Sequence, residues 1–133
     1  MVRVLPDVDR MLALHLNAAL PAAVTVSNHV PADVLGSMPY VRVARFGGGD
    51  VHPRFGTSAS VDVDCWESTR QKAADLAEDV RVALVAAWQR QTPLTGGTIA
   101  RLTTTSAPSE LRTAGQLAFV FRYTASLSLL IRP

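Results

Sequence analysis

The chain has 133 residues and a formal net charge of +2, from 13 basic and 11 acidic side chains. This length predicts one domain across residues 1–133, and a hydrophobic fraction of 48% is too high for an intrinsically disordered protein. The arginines are scattered singly, which argues against a nucleic-acid surface. No apolar run approaches the ~20 residues of a membrane span, and the single cysteine excludes an internal disulfide. The first residues lack the apolar stretch of a signal peptide, so we expect a cytoplasmic protein with no membrane partner.

The first third of the chain predicts one helix and two strands. A helix is expected from about Asp7 to Leu20, where Pro21 ends it. Its apolar stripe at helical spacing consists of Val8, Leu12, His15, Leu16 and Ala19. A short strand at 23–27 and a second strand at 40–46 follow, separated by an irregular segment near 28–39 that contains two prolines and a glycine.

A glycine-rich turn and an alternating strand come next. Three consecutive glycines and Asp50 predict an irregular connection near 47–56, at the tip of a hairpin. The strand at 59–66 alternates strictly, so one face is apolar and the other is polar. The apolar face carries Ala59, Val61, Val63 and Cys65, and the opposite face carries Ser60, Asp62, Asp64 and Trp66.

The clearest element is a helix that begins near Ser68. Ser68 and Gln71 have the Ser-x-x-Gln spacing of a capping box, in which each side chain satisfies a free backbone N–H at the helix start. The buried stripe is formed by Ala73, Leu76, Ala77, Val80, Leu84, Ala87 and Trp88. Because this stripe runs for five turns, we expect the helix to cover a large part of a sheet.

Two strands complete the chain. Residues 98–105 are rich in β-branched side chains, and a loop is expected at 106–115. Residues 117–132 alternate throughout, with odd-numbered apolar positions, and would extend ~53 Å as one strand. The order of elements predicts an α+β sandwich, with a mixed or antiparallel sheet of four to five strands and two helices on one face.

No constellation of side chains predicts catalysis or a cofactor. His15, His29 and His52 are isolated and lack the spacing of metal ligands. The glycines at 47–49 are not followed by the lysine and helix of a phosphate-binding loop. Cys65 points to the apolar side of its strand, where a thiol is packing rather than a nucleophile. We therefore expect a protein that is not an enzyme and that binds no metal or cofactor.

Two features of the polar strand face are open to more than one interpretation. Asp62 and Asp64 lie on the same side of their strand, a spacing that suits paired catalytic acids or the binding of a hard cation. The simpler interpretation is that they are surface acids, and we expect their replacement by alanine to leave folding intact. Trp66 is either an anchor of a protein contact or a packing residue at the end of the sheet.

The order and spacing of several segments resemble those of the tail terminator, or tail completion, proteins of long-tailed bacteriophages, particularly phages of actinobacteria. The resemblance covers about residues 5–132. The segments that carry it are Met38-Pro39-Tyr40-Val41-Arg42-Val43, the Gly/Asp loop, Val61-Asp62-Val63-Asp64-Cys65-Trp66, the helix opening Ser68-Thr69-Arg70-Gln71-Lys72-Ala73, Gly97-Thr98-Ile99 and Ser106-Ala107-Pro108.

This resemblance implies a structural protein of the virion, placed at the junction of tail and neck. Such proteins form a hexameric ring that caps the tail tube and ends its polymerisation. The implied partners are further copies of the same chain, the major tail tube protein and a head-completion or connector protein. DNA passes through the ring without sequence-specific binding.

The residue roles that we predict within such a ring follow from the last strand. Its second face is half apolar, so a neighbouring subunit is the expected cover. The candidate contact residues are Trp66, Val120, Arg122 and Leu130, and the candidate channel-facing acids are Asp62 and Asp64. Three other interpretations stay open: another neck or head-closure protein, a small α+β ligand-binding or enzymatic domain, and a nucleic-acid-binding module.

Overall fold

The computed structural model describes residues 7–48, 50–52 and 56–111 together with residues 119–132, with the backbone alone at 50–52. The element order alternates short and long pieces of regular structure. The elements are α1 (Val8–Ala19), β1 (Thr25–Ser27), α2 (Val34–Ser37), β2 (Tyr40–Gly47), β3 (Asp50–His52), β4 (Gly56–Glu67), α3 (Arg70–Gln89), β5 (Thr98–Glu110) and β6 (Phe121–Arg132).

The strands form one mixed sheet, as predicted. Its order is β1-β2-β4-β6-β5, and β3 pairs with β4 beside this path. β1 and β2 are parallel, whereas the other described pairs are antiparallel. The ladder between β4 and β6 runs from the Thr57–Ile131 pair to the Glu67–Phe121 pair without a register shift. This ladder makes β4 and β6 the centre of the sheet.

Both long helices pack on one face of this sheet, which confirms the predicted architecture. The stripe of α3 joins the odd-numbered side chains of β4 and β6 in a single core. α1 adds four buried side chains to the same core: Val8, Met11, Leu12 and Leu16. Two positions of the predicted α1 stripe are wrong, because His15 is half-buried and Ala19 is exposed, whereas Met11 is buried. α1 contacts the edge strands β1 and β2, so only a narrow side of this helix is covered.

On one side of the sheet the short β1 is the edge strand, and α1 contacts the part of β2 that β1 leaves unpaired. β1 pairs with β2 only as far as Arg42. Beyond that point the backbone N–H of Arg45 donates to the carboxylate of Asp9 at 2.7 Å. At the other side, β5 pairs with β6 alone and is the long open edge of the sheet. An unpaired strand edge of this kind invites association with other chains.

The start of α3 differs from the predicted capping box. Thr69, not Ser68, is the N-cap, and its hydroxyl accepts a hydrogen bond from the backbone N–H of Lys72 at 3.2 Å. Ser68 instead donates its own N–H to Glu67, and Gln71 donates to Asp75. β4 continues through Glu67, one residue beyond its predicted end, so the cap moves on along the chain.

Three predicted loops contain regular structure. The segment 28–39 includes α2, capped by Asp33, and the connection near 47–56 includes β3. β5 continues into the predicted loop at 106–115 as far as Glu110. As an edge strand it pairs with β6 alone, so it can contain Pro108 and several register shifts and still keep this pairing. β6 begins at Phe121; the predicted strand start at 117–118 lies outside the described residues.

The burial of the α3 stripe generates a prediction about stability. Leu84 is fully buried, so Leu84→Ala is expected to lower the free energy of unfolding by about 2–5 kcal/mol. Val82→Ala on the same helix is the matched control, because Val82 is 52% exposed and its replacement should cost less than about 0.5 kcal/mol. Urea denaturation of both variants measures the difference, and equal losses would contradict this packing.

The corrected cap generates a second prediction. Thr69→Ala is expected to lower the free energy of unfolding by about 0.5–2 kcal/mol, because the N–H of Lys72 loses its acceptor. Ser68→Ala should change stability by less than about 0.5 kcal/mol. The same denaturation measurement distinguishes the two variants. A larger loss of stability for Ser68→Ala than for Thr69→Ala would contradict Thr69 as the N-cap and support the predicted capping box.

Candidate functional site

Within the described residues, the side chains that most often act in catalysis or bind metal ions do not form a cluster. No three His, Cys, Asp or Glu side chains there are arranged to hold a metal ion. Cys65 is fully buried, and burial, followed by the charges of Asp64 and Asp79, raises the pKa of its thiol far above the usual range. The thiol is therefore protonated and inert. The side chain of His52 lies outside the described residues.

The sheet surface that faces away from the helices, here called the open face, gathers the predicted site residues. It is formed by alternate side chains of three neighbouring strands. Its central members are Arg42 on β2, Ser58, Ser60, Asp62, Asp64 and Trp66 on β4, and Arg122, Thr124, Ser126, Ser128 and Leu130 on β6.

One end of the open face is covered by an apolar cluster. Trp66 is only 5% exposed and packs with Tyr40 and Val120, supported by Val34 and Met38. The rings of Tyr40 and Trp66 meet edge to face, with centroids 5.8 Å apart. The structure thus supports the interpretation of Trp66 as a packing residue at the end of the sheet. Trp66 and Val120 are both buried within the chain, so neither side chain is available as an exposed anchor for a protein contact.

The middle of the open face holds a carboxylate between two guanidinium groups. Asp64 accepts from Arg42 Nη1 at 3.0 Å and from Arg122 Nη2 at 3.0 Å. Its side chain is 3% exposed, so the prediction that Asp64 is a surface acid is wrong. Alternation does place Asp64 on the outward face, but long arginines from both neighbouring strands fold over it. Arg122 also lies over the ring of Trp66, 5.0 Å from its centroid, which joins the ion pairs to the cluster.

The rest of the open face is partly exposed and rich in hydroxyl groups. Asp62 is half-buried and accepts a hydrogen bond from Ser126 Oγ at 2.7 Å. Leu130, near the end of β6, is also half-buried. Of the four predicted contact residues, Arg122 and Leu130 therefore keep accessible surface.

The segment 28–37 is held against the covered end of the open face. Tyr40 donates its hydroxyl to the carbonyl of His29 at 3.0 Å, and Ser27 Oγ contacts both the Tyr40 hydroxyl and the His29 ring. Pro31 and Val34 face inward, whereas Val30 and Leu35 are exposed by 57% and 54%. The sequence predicts an irregular segment here, and the apolar residues Val30, Val34 and Leu35 are the only signal in it of a structured surface.

A cleft lies on the other side of the molecule, between α1 and α3. It has a volume of about 360 Å³, within the range of sites that take in a small ligand or a group of side chains. We call it the helical cleft; its lining residues are His15, Ala19, Leu20, Pro21, Asp79, Val82, Ala83, Ala86, Ala87, Arg90 and Thr92. The Nε2 atom of His15 is buried there and has no hydrogen-bond partner. The sequence places His15 on an apolar helical stripe, which predicts a packing residue and does not by itself indicate a cleft.

A comparison with models of protein families identifies a family for this chain. A family model described as phage tail termination protein matches residues 4–110, which extend from the approach to α1 through the end of β5. No curated protein matches the chain. Within the described residues, no helix has the length and apolar character that crossing a membrane requires.

The burial of Asp64 generates a third prediction and corrects the expectation that alanine at both acids would leave folding intact. Asp64→Asn is expected to lower the free energy of unfolding by about 1–3 kcal/mol, because two arginine partners lose charged hydrogen bonds. Asp62→Asn is the control, because the amide oxygen can still accept from Ser126, and it should cost less than about 0.5 kcal/mol. Equal stability of the two variants in thermal or urea unfolding would contradict the role given to Asp64.

Proposed function

The chain belongs to the family of phage tail termination proteins, and we propose that it caps the tail tube as a ring of six copies and thereby ends tube polymerisation. Membership of this family makes the protein a structural component of the bacteriophage virion. The further details of the proposal are the place at the junction of tail and neck, the ring of six, and a central hole through which DNA passes. Its proposed partners are the major tail tube protein on one side and a head-completion or connector protein on the other.

The family match is the observation that carries this proposal. It covers every helix and the strands β1 to β5, and it ends before β6. The chemistry of the described residues is in keeping with a structural role, because the one thiol is buried and the acids of the open face are engaged by Arg42, Arg122 and Ser126. We therefore propose no catalytic activity and no bound cofactor.

The surface of a single copy supports assembly. β5 is a long open strand edge, and the open face keeps half-buried Arg122 and Leu130 beside a strip of hydroxyl groups. Edges and faces of this kind are normally covered. A contact that repeats between two different surfaces of each copy closes into a ring when its rotation allows.

The open face is better suited to a subunit contact than to a channel wall. The charge of Asp64 is already balanced by two arginines, and Asp62 is bonded to Ser126. The prediction that Asp62 and Asp64 are channel-facing acids therefore has little electrostatic support at Asp64. We retain Arg122 and Leu130 as proposed contact residues on this face.

The test is electron microscopy of virions assembled without this protein. Tails that exceed their normal length and carry no heads are expected, because nothing stops addition to the tube. Supply of the wild-type chain in trans should restore both length and joining. Tails of normal length that fail to join heads would indicate another neck protein, and normal joined virions would overturn the structural role.

A further inference from the structure

Two apolar surfaces of this chain lie on opposite sides of the sheet and have no partner in the described part of the chain. The helical cleft lies in the helix layer, with Val82 at its rim 52% exposed. The second surface, here called the 30–35 segment, lies over the opposite sheet face and presents Val30 and Leu35 to solvent. The sheet separates them, so the 30–35 segment cannot enter the helical cleft of its own chain.

The 30–35 segment is built as a fixed projection. Val34 packs into the cluster of Tyr40, Trp66 and Val120, while Asp33 caps α2 by accepting the N–H of Gly36. The carbonyl of His29 is held by the Tyr40 hydroxyl just before the segment. These contacts hold the backbone that carries Val30 and Leu35 before any partner arrives, which lowers the entropic cost of docking.

The two surfaces offer each other apolar contacts and opposite charges. Much of the cleft is lined by alanines, small side chains that let another backbone approach closely. Arg90 and Asp79 lie at the cleft, and neither has an ion-pair partner among the described residues. The projecting segment carries Asp33 and follows His29, so it supplies an acid for Arg90 and a hydrogen-bond donor for Asp79. A second copy of this chain therefore offers partners for Arg90 and Asp79 as well as apolar contacts, whereas a purely apolar ligand offers only the apolar contacts.

We propose that the 30–35 segment of one copy docks in the helical cleft of the next, with Val30 and Leu35 on the alanine floor. This inference rests on the proposed ring, and it names the contact that closes it. The contact joins two different surfaces, so each copy can use one surface on either side, as a closed ring requires. Docking also brings the helix layer of one copy towards the covered end of its neighbour's open face, where Arg122 lies over Trp66.

Cross-linking between two variants, each with one added cysteine, tests this contact. Leu35→Cys and Ala86→Cys place one thiol on each surface, and the natural Cys65 does not interfere because it is fully buried. The full-length variants are mixed with purified tails that lack this protein and then oxidised. A dimer is expected only when both variants are present, and a chain with both substitutions should give a ladder that ends at the closed ring.

The matched control replaces Leu35 by a distant exposed residue. Phe46 lies at the other end of β2 from Tyr40, roughly 20 Å along the strand, so Phe46→Cys mixed with Ala86→Cys should give no dimer. A dimer from Leu35→Cys alone would indicate a two-fold contact and overturn the proposal. Rings that are visible by negative staining without the expected cross-link would overturn this contact and leave the proposed function standing. The absence of both rings and cross-links on the tails would overturn both.

A charge placed at the cleft provides an independent measurement. Val82→Glu introduces a carboxylate at the apolar rim and should abolish the cross-link and the ring, with an unchanged melting temperature because Val82 is exposed. Leu14→Glu is the control, because Leu14 is 44% exposed on the helix layer but does not line the cleft. Equal assembly of the two variants would contradict docking in the cleft.

Discussion

Eleven consecutive residue pairs join β4 to β6 without a register shift, and the remaining elements are arranged around this ladder. Because side chains alternate along a strand, the ladder assigns every residue of β4 and β6 to the helix side or to the open face. A shift by one residue would send Val61 and Val63 to the open face and bring Asp62 and Asp64 under α3. The uncompensated burial of two carboxylates makes such a shift prohibitively unfavourable, so the polar residues secure the register as firmly as the apolar ones.

The open face shows how a sheet can carry charged residues without becoming a charged surface. Asp64 is surrounded by guanidinium groups from both neighbouring strands, and one of these groups also lies over Trp66. The pairs hold the side chains of three strands in one arrangement, which links the apolar cluster at one end to the hydroxyl strip at the other. A face that is ordered and nearly neutral suits a contact with another protein subunit better than a contact with DNA.

The two sides of the sheet have different roles in the proposed ring. The helix layer completes the core and leaves a cleft where α1 and α3 diverge, while the opposite side carries an anchored projection. Each feature is unremarkable in a monomer. Together they form two unlike surfaces on opposite sides of one chain, and this is the geometry that head-to-tail assembly needs.

The periodicity of the sequence determined the layers of this protein. The stripe of α3 and the alternation of β4 and β6 could be predicted because burial on one side selects apolar side chains at a fixed spacing. The family resemblance followed from the order of these segments. Other features depended on contacts between distant residues. Thr69 became the cap because pairing with β6 extends β4 to Glu67, and β5 passes Pro108 because it lies at an edge. Asp64 is buried because Arg42 and Arg122, which are far from it in sequence, reach it from both sides. Only the tertiary structure decided these features, since burial and pairing are properties of neighbours in space.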